Sequence, residues 1–196
     1  MQHVAYIHGL NSSHTSFSYI VQKLPEHRIH LIDYASHQSL KESLAQVLKQ
    51  LPKNDTVSLV GHSLGGVIAT LIAADHPEKI DRLVTISSPL RGSRAAETLR
   101  WIPGSLPVLK DITPRGLIMT RVGALKLKVP TVSIISTGGH LPTSPEPNDS
   151  VVAISSQKAL QFGRKVEINV SHFEVLLHDK TVKVISEFLF PVMATV

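Results

Sequence analysis

The chain has 196 residues, enough for one well-buried core and short for two. It contains no cysteine, which excludes disulfides and thiolate metal sites, and its hydrophobic content of 42% is ordinary for a globular protein. The formal charge of +5 comes from scattered Lys and Arg residues, which argues against dedicated nucleic-acid binding. Met1-Gln2-His3 leads directly into a strand-like segment without the basic and apolar regions of a signal peptide, and no stretch reaches transmembrane length. A cytoplasmic location is therefore expected, unless a leader has been removed.

Apolar runs alternate between strand-like and helical spacing, the pattern of a parallel sheet covered by helices. Val4 to Ile7 reads as a strand ending at His8-Gly9, and Phe17, Ile20, Val21 and Leu24 then repeat at helical spacing until Pro25. Arg28 to Ile32 is the second strand. Leu40, Leu44, Val47, Leu48 and Leu51 form one face of a helix closed by Pro52. Thr56 to Val60 is a short apolar strand, and Leu64 to Ala74 a buried helix that ends near Asp75-His76-Pro77. Arg82 to Ile86 follows as a strand. From Ser87 to Val129 the pattern breaks up around Pro89, Gly92, Pro103, Gly104, Pro107, Pro114, Gly116 and Gly123. Such a segment in a compact domain is expected to be a short lid- or cap-like insert. The strand pattern returns from Pro130 to Ser136, and a loop dense in Gly and Pro spans Thr137 to Asn148. A short helix near Ser155 to Phe162, a strand from Val166 to Val170 and a helix carrying Val182, Ile185, Phe188 and Leu189 complete the chain. The reading is one α/β domain over residues 1–196, with a mostly parallel sheet of about six strands flanked by helices.

Gly61-His62-Ser63-Leu64-Gly65, with Gly66 behind it, sits between an apolar strand and a buried helix. A serine at such a turn is pushed clear of the sheet edge on a strained backbone that tolerates little bulk on either side. It also lies at a helix N-terminus, where free N–H groups favour developing negative charge. A serine hydroxyl is a weak nucleophile and needs a base to take its proton, and the base needs an acid to orient it. His172 follows the last strand and Asp149 ends the loop after the strand before it, so Ser63, Asp149 and His172 fall in order at strand ends. His178 near the last helix, His140 in the acid loop and His62 beside the serine are the competing histidines, and Glu146 is the competing acid. His62 reads as structural. Two backbone N–H groups should hold the oxyanion, that of Leu64 after the nucleophile and that of Leu10 after the first strand. His8 and Gly9 border the same turn. Trp101, Ile102, Leu106 and Leu117 in the insert are candidates to line an acyl pocket.

Three segments carry a resemblance: His8-Gly9-Leu10, the Gly61 to Gly66 elbow, and Ser87-Ser88-Pro89-Leu90-Arg91-Gly92-Ser93. Together they resemble the bacterial lipases and esterases of the α/β hydrolase superfamily. The third segment is similar to a family stretch Ser-Thr-Pro-His-x-Gly-Ser, with Ser88 in place of Thr and Leu90 in place of His. Pro147-Asn148-Asp149-Ser150-Val151-Val152 is similar to the family's Asn-Asp-Gly-x-Val acid segment, with Ser150 in place of Gly, which favours Asp149 over Glu146. The resemblance implies a minimal α/β-hydrolase fold that starts at the family's third strand. It also implies hydrolysis of a carboxylic ester, on a small-molecule or lipid substrate, without metal or organic cofactor. The same residues would serve an acyltransferase or thioesterase, and a catalytically silent hydrolase-fold binding protein is the alternative from another class.

Overall fold

Val- and Ile-rich runs of five to seven residues, separated by helices, can pair only in parallel, because each return to the sheet crosses one face. The computed structural model describes residues 1–99, 101, 104, 106–141 and 144–191, with only the backbone described at 98 and 99. Its strands are β1 (His3–Ile7), β2 (Arg28–Ile32), β3 (Val57–His62), β4 (Ile80–Ile86), β5 (Thr131–Ser136) and β6 (Arg164–Ile168). They form one six-stranded sheet in the order β2-β1-β3-β4-β5-β6, and every pairing is parallel.

The helices are α1 (Ser18–Lys23), α2 (Leu40–Gln50), α3 (Leu64–Asp75), α4 (Arg94–Leu99), α5 (Pro107–Asp111), α6 (Leu117–Ala124), α7 (Ile154–Gln157) and α8 (Asp179–Leu189). Alternate strand residues feed two cores. Ala5, Ile7, Leu59 and Leu83 pack with α2 and α3 on one face. Val4, Tyr6, Val60, Val84, Ile86, Val132 and Ile134 pack with Phe17 and Ile20 near α1, and with Val182 and Ile185 of α8, on the other. The central strands β3 and β5 are buried along their whole length, whereas β2 and β6 at the edges are largely exposed. Helix α3 is buried from Leu64 to Ala73, which explains why its sequence is apolar all round rather than striped.

Segment 87–129 is less irregular than its prolines suggest. Pro107 opens α5 at a position where a proline costs nothing, since its missing N–H would be unpaired there anyway. Gly116 caps α6. Leu90, Ala96, Val108, Ile112, Met119 and Val122 join the same core as α2 and α3, so these short helices extend that helical layer. Other boundaries differ from the sequence reading as well, among them β3, expected at 56–60 and found at Val57–His62, and β4, expected at 82–86 and found at Ile80–Ile86. The strand expected at 166–170 runs instead over Arg164–Ile168, and the helix expected near 155–162 is a single turn, Ile154–Gln157.

The chain turns outward from β1 to β2, then crosses back to place β3 on the other side of β1. The carboxyl ends of β1 and β3 therefore flank the switch point of the sheet, where a crevice forms in open α/β folds. His8-Gly9-Leu10 leaves one of these strands and Ser63 leaves the other.

Candidate active site

Ser63 joins β3 to α3 with φ 52° and ψ −121°, a conformation that costs about 1–3 kcal/mol in a non-glycine residue. Its N–H donates to Ile86 O at 2.8 Å and its carbonyl accepts from Gly66 N at 3.0 Å, so the bend is held from both sides. The flanking glycines are demanded by contact. A Cβ on Gly61 would lie 2.4 Å from Gly65 O, and one on Gly65 would lie 2.0 Å from Ile7 O. Helix α3 thus starts directly against the end of β1.

Asp149 and His172 lie in loops beyond β5 and β6, with 0% and 2% of their surface exposed. Asp149 Oδ2 accepts from His172 Nδ1 at 2.7 Å, from Gln157 Nε2 at 3.0 Å and from Ser136 Oγ. Oδ1 accepts from the N–H groups of Val151 at 3.0 Å and Val152 at 2.7 Å. Burial pushes the Asp149 carboxyl up, but the hydrogen bond and charge of His172, with Ser136 and Val152, outweigh it and hold the group below its ordinary value. The carboxylate oxygen can only accept, so His172 Nδ1 carries a proton, and in the neutral ring Nε2 is the atom with the lone pair. Two further bonds fix the His172 main chain: its N–H donates to Asp149 O at 2.9 Å, and its carbonyl accepts from His62 Nε2 at 2.9 Å.

The ring of His62 is 4.8 Å from that of His172, and Ser63 is the next residue along the chain. Among the described residues, Ser63 Oγ and His172 Nε2 have no hydrogen-bond partner, either in each other or elsewhere. Nucleophile–base bonds are often long before substrate binds. Gly9 packs against the same serine, since a Cβ at Gly9 would lie 3.1 Å from Ser63 Cβ. Its turn is rigidly held. Tyr34 Oη donates to His8 O at 2.7 Å, the His8 ring stacks on Tyr34 at 4.4 Å, and His8 Nδ1 donates to Gly9 O at 2.9 Å. Burial pushes the His8 imidazole below its ordinary value. The N–H groups of Leu10 and Leu64 have no protein acceptor among the described residues.

A family profile described as the alpha/beta hydrolase fold matches residues 2–109, more than half of the chain. The chain belongs to the alpha/beta hydrolase family. Curated relatives of this chain include a pimeloyl-[acyl-carrier protein] methyl ester esterase from Citrobacter koseri, 34% identical in an alignment of 115 residues that covers 54% of this chain and 42% of that protein. A protein of the same name from Vibrio vulnificus is 32% identical over 104 residues, 48% of this chain and 39% of that protein. The chain spans about two-fifths of the length of these relatives. Among solved structures, the mature lipase BlEst2 of Bacillus licheniformis superposes with a TM-score of 0.82 at 15% identity, over 96% of this chain and 91% of that one. The phospholipase PlaB of Legionella pneumophila gives 0.77 at 13% identity, over 97% and 59%. At these identities the likeness is one of fold.

In this alpha/beta hydrolase the competing acid lies elsewhere: Glu146 pairs with Arg94 at 3.6 Å. His178 caps α8 by accepting from Lys180 N, and His140 lines a cavity of about 500 Å³ with Glu146 and Asn148 rather than with Ser63. Ser150 stands where the family pattern has glycine and has φ 82°, the left-handed region that glycine favours. Of the residues expected to line an acyl pocket, Leu106 packs on the α2–α3 core, Trp101 and Leu117 are 76% and 91% exposed, and Ile102 lies outside the described residues. Sequence reasoning missed Ser136, Gln157 and Ser87. Gln157 also accepts from Ser136 N at 3.0 Å, and Ser87 Oγ lies 2.6 Å from Ser136 Oγ, so a buried polar chain runs from β4 through β5 to Asp149. No motif marks Ser136 or Gln157, and the segment that begins at Ser87 gives no hint of this contact, because the three residues meet only when β4, β5 and α7 are packed.

Proposed function

We propose that the protein is a serine hydrolase of carboxylic esters, lipase- or carboxylesterase-like, working through Ser63, Asp149 and His172. The observation that carries this reading is the buried Asp149–His172 pair, 2.7 Å apart, beside a strained serine at the switch point of the sheet. The names of the matched relatives, esterase and lipase, support it. In the proposed cycle, Ser63 Oγ attacks the ester carbonyl while its proton passes to His172 Nε2. Asp149 holds the Nδ1 proton and stabilises the imidazolium. The carbonyl oxygen becomes negative between the Leu10 and Leu64 N–H groups, and each such donor is worth about 2.7–4 kcal/mol. The intermediate collapses as His172 returns the proton to the departing alcohol, leaving an acyl group on Ser63. Water, deprotonated by His172, attacks that acyl carbonyl, and the acid leaves as His172 returns the proton to Ser63 Oγ.

A fluorophosphonate probe tests the reading. It should label the wild-type chain once, and Ser63→Ala should not be labelled. Absence of wild-type labelling, or equal labelling of Ser63→Ala, would falsify the proposal. A series of p-nitrophenyl esters from acetate to palmitate then separates a small-ester enzyme from one that acts on lipids.

A further inference from the structure

His62 is the last residue of β3, 1% exposed, and the mechanism above does not use it. Its Nε2 faces the carbonyl of His172 at 2.9 Å. A carbonyl can only accept, so Nε2 carries the proton and Nδ1 is left as a lone pair. That Nδ1 is buried and has no hydrogen-bond partner among the described residues. It lies instead against the oxyanion turn, where a Cβ at Gly9 would sit 3.4 Å from it. One ring therefore touches Gly9 on one edge, the loop of His172 on the other, and is joined by the main chain to Ser63.

The ring also packs on His172 at 4.8 Å and on Phe173 at 6.2 Å. Packing alone does not account for a histidine here. An unpaired buried acceptor is costly, and a phenylalanine of similar shape would fill the space without that cost. What histidine adds is the Nε2–H donor. The other two bonds that hold His172 both run to Asp149. Among the described residues, the bond from His62 is the one hydrogen bond between the loop of His172 and the β3–α3 turn.

Resting on the function proposed above, we propose that His62 is a positioning residue, which clamps the main chain of His172 and so sets the distance between base and nucleophile. Burial, with the neighbouring His172, pushes its pKa down to about 3, so the ring is neutral at neutral pH and the bond to His172 O holds it in one tautomer. Losing the clamp moves the base by a fraction of an ångström to an ångström, a displacement that costs up to about 100-fold in rate.

The test compares His62→Phe, His62→Asn and His62→Gln by kcat and KM on p-nitrophenyl butyrate, per active site counted with the fluorophosphonate probe. The glutamine amide nitrogen reaches the place of Nε2, whereas that of asparagine stops at the place of Nδ1. His62→Phe and His62→Asn should lose about 10- to 100-fold in kcat with KM changed less than about twofold, and His62→Gln should recover most of the rate. The downfield proton resonance of the His172–Asp149 bond should persist in all three, which separates a misplaced base from a lost fold. Unchanged kcat in His62→Phe overturns the clamp, as does a His62→Gln no faster than His62→Asn. Either result leaves the serine-hydrolase reading standing so long as wild type is labelled by the probe.

Discussion

Asp149 has its two carboxylate oxygens covered by five donors, three on Oδ2 and two on Oδ1. An anion so held in the interior keeps its charge and fixes the tautomer of His172. Asp149→Asn would keep the size of the side chain but present an amide to Nδ1. We expect kcat to fall about 10³- to 10⁴-fold while the fold survives, as measured on p-nitrophenyl esters. Glu146→Gln should stay within about twofold of wild type, since that carboxylate faces Arg94 at the surface. The reverse ranking would transfer the acid role to Glu146. The pairing of Asp149 with His172 was legible because chain order and the Asn-Asp segment both pointed to Asp149. Ser136, Gln157 and the bond made by His62 were not, because a hydrogen bond between residues up to 110 positions apart leaves no local pattern.

At the scale of elements, strands were legible through their β-branched runs, and α3 through its unbroken apolar sequence. The short helices of segment 87–129 were hidden because turn residues and helix-opening residues are the same types, as Pro107 and Gly116 illustrate. Helix α3 comes directly against the end of β1 at Gly65. Gly65→Ala has no space to enter, with Ile7 O 2.0 Å and His8 O 2.5 Å from the new methyl. It should destabilise the protein by about 1–3 kcal/mol or more, and displace the turn that carries Leu10. Gly123→Ala, in α6 with nothing within 4 Å of the new methyl, should instead stabilise by about 0.5–1 kcal/mol. Urea denaturation of both variants checks the pair. Equal effects would mean that the contact at Gly65 relaxes freely.

For the whole molecule, buried histidines should make stability depend on pH. His62 has a folded pKa of about 3 against an ordinary 6.5. Below the ordinary value the unfolded chain takes up a proton that the folded one refuses, so stability rises with pH across this interval. The contribution is complete above about pH 6.5 and declines by about 1.4 kcal/mol per unit as the pH falls toward 3. His8, lowered by its own burial, acts in the same direction. Urea midpoints measured from neutral pH down to about pH 4 should therefore fall more steeply for wild type than for His62→Gln. Parallel slopes would remove His62 as the source. The strand order has a last consequence, in time rather than in space. The family match over residues 2–109 takes in Leu10, Ser63 and Leu64, and stops short of Asp149 and His172. A chain made from its amino end delivers the strained serine and the His8-Gly9-Leu10 turn before Asp149 and His172. On the proposed reading, the nascent protein is inert toward esters until β5 and β6 have docked, and its reactivity is switched on by the completion of its own sheet.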